Sequence, residues 1–136
     1  MTAIITRPPL SDSSDSLLRF ALRADATLCA AVGLFVAMAA DQLSRVAGLS
    51  PTAGWFVGAA LVGYGALLYV LAAVAHIRRV GIATVAGNVS FAIAMVTAIL
   101  AGWLSLTGTG VDLVLGFVCA TAGLAWLQYR GVRRLM

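Results

Sequence analysis

Asp25, Tyr69, Asn88 and Gln128 each interrupt an otherwise apolar run. A carboxylate, a phenol and two amides are enough for a small polar pocket. Asp25 can accept a proton or a cation, and the other three can hydrogen-bond around it. No richer chemistry is in view. Cys29 and Cys119 form no CxxC pair or Cys/His cluster, so no metal site or dithiol centre is expected. Both read as small buried residues at helix contacts. His76 is the single histidine, next to Arg78 and Arg79, and lacks the partners needed to hold haem or a metal. Ser44, Ser90 and Ser105 have no histidine base in reach, which argues against a serine hydrolase. The expectation is a non-enzymatic protein with no cofactor.

The elements that must position these residues follow from composition. The chain is 62% hydrophobic and only 10% charged, where soluble domains carry about 25% charge. A chain of this size cannot hide so much apolar surface from water, so lipid is its solvent. The fold class is all-α, a membrane-spanning antiparallel four-helix bundle. Its spans cover about 20–43, 53–77, 80–104 and 110–130, within a transmembrane domain at 17–134. Residues 1–16, with Pro8-Pro9 and a Ser/Asp run, read as a mobile cytoplasmic tail. Ala37-Met38-Ala39 resembles a signal-peptidase site, but Asp12, Asp15 and Asp25 upstream favour an uncleaved anchor.

The third span is the most uniformly apolar. Ala86, Ser90, Ala94, Ala98 and Gly102 recur every fourth residue and form a ladder of small side chains against which a neighbouring helix could pack. Asn88 lies about 160° around the helix from Ser90, so it faces a different neighbour. In the second span Gly54 and Gly58 form a GxxxG flank, suited to a second copy or a larger membrane complex. The short link Ile77-Arg78-Arg79 is expected to make spans two and three antiparallel packed neighbours.

Arginine sets the expected orientation. Arg7, Arg19, Arg23, Arg78, Arg79, Arg130, Arg133 and Arg134 fall on the side of the termini, and only Arg45 falls on the other. Both termini are therefore expected in the cytoplasm of a bacterial cell, with the protein multi-pass in the inner membrane. The net charge of +4 sits at segment ends and not on one face, so nucleic acid is not an expected partner. On this frame Asp25 lies at the inner edge of span one, as an interfacial ion pair with Arg23, Arg78 or Arg133. Asn88 lies roughly 12 Å deep, with Tyr69 at similar depth. Asp41 and Arg45 are spaced to pair on the outer side, and Trp126 and Arg130 to make a cation–π contact.

These residues carry a resemblance. Leu22-Arg23-Ala24-Asp25-Ala26, Gly63-Tyr64-Gly65-Ala66-Leu67-Leu68, Asn88 and the ending Leu127-Gln128-Tyr129-Arg130-Gly131-Val132-Arg133-Arg134 together look like a group of small, uncharacterised four-span bacterial membrane proteins. The resemblance covers about 20–134, with departures at Gly65 and at Val89-Ser90. It implies the four-span fold and marks Asp25, Asn88 and Gln128 as positions to test. It implies no activity. Small multidrug-resistance exporters are also four-span proteins, but they depend on a membrane-embedded Glu, and this chain has none. The functional expectation is a structural or accessory subunit packing through small-residue faces. The alternative is a small proton- or cation-coupled transporter using Asp25.

Overall fold

The computed structural model describes the chain from Leu10 to Met136, with side chains described from Asp15 onward. Five helices follow in order: α1 (Leu10–Met38), α2 (Ala40–Ala47), α3 (Pro51–Leu71), α4 (Ile77–Leu100) and α5 (Gly108–Arg133). All but α2 are long and apolar enough to cross a membrane. The surface agrees with a lipid solvent: Phe56, Val70, Ile93 and many other large apolar side chains are exposed. The chain is a multi-pass membrane protein.

Residues 1–9 of the expected tail lie outside the described residues, and 10–16 are helical, as the first turns of α1. The first span also ends earlier than expected. It stops at Met38, and the polar stretch around Asp41, Gln42 and Arg45 forms the separate helix α2. Backbone bonds cross the joint, from Ala39 N–H to Phe35 O at 2.9 Å and from Leu43 N–H to Ala39 O at 2.8 Å. The joint is therefore a kink. Asp41 and Arg45 do not pair; among the described residues the one ion pair is Arg19–Asp15 at 3.2 Å.

Caps fix the connections. Ser50 accepts from Ala53 N–H at 3.2 Å, with Pro51 opening α3. Thr107 serves two helices. Its hydroxyl accepts from Gly110 N–H at 3.0 Å to cap α5, and donates to Val46 O to close α2. Arg19 donates to Ala72 O at 2.7 Å and Val74 O at 3.0 Å, satisfying carbonyls that the end of α3 leaves without helical partners.

Helix α1 is the centre of the bundle. It packs against α3 most extensively and against α5 next, while α4 rests mainly on α5. Glycine sets the α1–α3 distance. A Cβ on Gly58 would lie 2.6 Å from Gly33 O, and one on Gly65 would lie 2.6 Å from Ala26 O. Gly54 and Gly58 are buried against α2 and α1, so the flank expected to meet another protein is used inside the chain. Beneath this contact Leu18, Leu22, Leu68, Ala72, Ile77 and Val132 form the apolar core.

Two further expectations are corrected. Helices α3 and α4 are joined by a short link but hardly touch, because the small-residue face of α3 is taken up by α1. The ladder on α4 points outward: Ala86, Ser90 and Ala94 are exposed, Ala98 is half-buried, and Gly102 lies beyond the end of the helix. Gly81, Thr84 and Asn88 form the buried face of α4 instead.

The glycines separate two kinds of position. Gly58→Ala should cost about 1–3 kcal/mol by overpacking the α1–α3 contact. Gly63→Ala, where a Cβ meets nothing within 4 Å, should leave stability unchanged or raised. Thermal unfolding in detergent micelles checks the pair; equal effects would mean that glycine does not set the contact.

Candidate functional site: a buried carboxylate–amide triangle

Asp25, Asn88 and Gln128 come from α1, α4 and α5 and meet in the bundle interior. Asp25 Oδ2 accepts from Asn88 Nδ2 at 2.8 Å and from Gln128 Nε2 at 2.8 Å. Asn88 Nδ2 also donates to Gln128 Oε1 at 3.0 Å, so each residue bonds both others. Asp25 is 1% exposed and Gln128 0%. The sequence places them there by stripe. Leu18, Leu22, Asp25 and Cys29 share one face of α1, and Thr121, Ala125, Gln128 and Val132 share one face of α5; all eight are buried.

Two residues complete the cluster that were not expected in it. Cys29, one turn beyond Asp25, donates its thiol to Asp25 Oδ1 at 3.4 Å. Tyr64 donates its hydroxyl to Asn88 Oδ1 at 3.3 Å and brings in α3. Tyr69, the expected phenol, is 62% exposed and lies outside the cluster. The signal was helical phase: Tyr64 lies four and eight residues before Leu68 and Ala72, both buried, whereas Tyr69 is one residue out of phase with them. Cys119, expected to be buried, is exposed.

The pairing of Asp25 also differs from expectation. No arginine reaches it. Arg23, Arg78 and Arg133 are exposed, and Arg19 is held by Asp15 and two carbonyls. Hydrogen bonds alone compensate the carboxyl group. Three donors converge on its two oxygens, and among the described residues no buried side-chain polar atom lacks a partner.

This arrangement limits the chemistry. Asn88 and Gln128 turn their N–H groups toward Asp25, while their oxygens are occupied by Tyr64 and by Asn88 itself. A metal cation needs oxygens where the N–H groups stand, and the described residues contain no cluster of metal-ligating side chains. At the helix ends, Arg130 lies over the Trp126 ring at 5.7 Å and Arg133 over Tyr129 at 5.8 Å. No protein-family model, characterised protein or solved structure matches the chain.

Asn88→Leu removes one donor to Asp25 and the acceptor of Tyr64. It should destabilise the fold by about 1–3 kcal/mol, the cost of leaving buried partners unsatisfied. Tyr69→Phe should cost nothing measurable. Unfolding of both variants in bicelles checks this, and an effect at Tyr69 equal to that at Asn88 would contradict the assignment.

Proposed function

We propose that this protein is a small proton-linked carrier of the bacterial cytoplasmic membrane, with Asp25 as the group that takes up and releases the proton. One observation carries the reading: a carboxyl group stands deep among four apolar helices with no cationic partner. Placing an ionisable Asp within a span is costly, up to about 2.5–3.5 kcal/mol at its centre. An Asn or Gln could join three helices by hydrogen bonds without that cost, so a purely structural role does not account for an acid. With amide N–H groups turned toward Asp25, a metal ion finds no oxygen ligands beside it, so the proton is the species proposed.

The apolar layer of Leu18, Leu22, Leu68, Ile77 and Val132 lies between the triangle and the helix ends nearest the C terminus. Exchange from that side requires the layer to part, which is the kind of two-state element a carrier needs. The arginine distribution supports cytoplasmic termini, with Arg45 alone on the opposite side. The Gly54/Gly58 flank no longer motivates the accessory-subunit reading, since both glycines are seated against α2 and α1; the exposed ladder of Ala86, Ser90 and Ala94 on α4 is the face that would still serve it.

Proteoliposomes holding a pH-sensitive dye, driven by a potassium diffusion potential, test the proposal. The natural chain should acidify or alkalinise the lumen with the sign of the potential. Asp25→Asn should reduce the rate to that of protein-free liposomes, and Asp112→Asn, an exposed acid outside the cluster, should not. Equal rates for the natural chain and Asp25→Asn would overturn it.

A further inference from the structure

Helices α3 and α4 diverge into an open groove of about 390 Å³, within the range of sites that hold small ligands. Leu67 and Leu71 line one wall, Ala83 and Gly87 the other, and Tyr64 and Arg79 also border it. From Arg79 to Gly87 is eight residues, about 12 Å along α4. The trough is roomy: a Cβ built on Gly87 meets nothing within 4 Å. In a bilayer such a surface is filled by hydrocarbon, because its walls offer water almost no partners.

Arg79 borders one end of the groove, and Arg78 precedes it in the chain. Arg78 and Arg79 lie in the first turn of α4, which has no acidic residue and no side-chain cap. Both are exposed, and among the described residues neither guanidinium has an ion pair or hydrogen-bond partner. Two cations at the positive end of a helix dipole repel it and each other, and an anion bound there relieves both effects. An uncompensated double positive charge above an apolar trough complements one ligand, an acyl chain carrying a phosphate.

We propose that the α3–α4 groove is a binding site for an anionic phospholipid, with its phosphate at Arg79 and Arg78 and one acyl chain along Leu71, Ala83 and Gly87. The groove ends at the level of the Tyr64–Asn88 hydrogen bond, which spans the gap between the two helices. The bound lipid therefore covers the lateral side of the Asp25 cluster. This site stands whether or not Asp25 carries protons.

Native mass spectrometry of the full chain with equal amounts of phosphatidylglycerol and phosphatidylcholine of matched chains tests it. The natural protein should retain several-fold more phosphatidylglycerol. Arg78→Gln/Arg79→Gln, exposed and without structural partners, should bring the ratio to parity. Gly87→Leu, which fills the trough, should lower retention of both lipids. Gly123→Leu, equally open but on α5, should behave as the natural chain. No preference in the natural protein, an unchanged ratio in the arginine variant, or displacement of the lipid by inorganic phosphate would overturn the proposal.

Discussion

A single carboxylate oxygen holds this bundle's interior together. Asp25 Oδ2 accepts from α4 and from α5 at once, and the two donors are themselves hydrogen-bonded. In lipid no water is present to satisfy a polar group that slips out of place. Moving α5 along its axis therefore breaks two bonds, and moving α4 three, leaving buried amides without partners. The triangle adds a directional constraint on the register of three helices to the close glycine contacts between α1 and α3. Tyr64 extends the constraint to α3.

The remaining architecture follows from α1 being the helix that bears the acid. It must touch α3, α4 and α5, and small residues make that possible. Gly33, Gly58 and Gly65 bring α1 and α3 to backbone contact, and Gly131 lets α5 close on Leu18. The same choice has a consequence on the far side. With the small face of α3 turned to α1, little remains to draw α4 toward α3, and a groove opens between consecutive helices. One asymmetry in where glycine falls thus gives both a closed acid site and an open lateral surface.

Much of this is legible in the sequence, and the failures share a cause. Four spans are readable from hydropathy alone, and Asp25, Asn88 and Gln128 are readable as polar residues inside them. Depth follows from position along a helix, but the face each residue presents depends on which neighbour it meets. Depth alone favours Tyr69, whereas the stripe through Leu68 and Ala72 favours Tyr64. The ladder from Ala86 to Gly102 suggests an internal contact, yet small residues suit a lipid-facing surface equally well. Asp25 reads from sequence as the partner of an arginine, whereas its partners Asn88 and Gln128 emerge only when α1, α4 and α5 are set against one another. The kink at Ala39 has no proline or glycine to announce it.

The central claim is that the two amides act through one shared carboxylate oxygen, and a double-mutant cycle measures that directly. Asn88→Leu, Gln128→Leu and the double variant are unfolded reversibly in bicelles and their free energies compared. Because the two side chains bond each other and the same oxygen, the first substitution already disrupts what the second would remove. The cycle should show a coupling of about 0.5–3 kcal/mol, the range for residues in one network. Strict additivity would contradict the claim, since it would mean that the two amides stabilise the bundle independently and the triangle does not act as a unit.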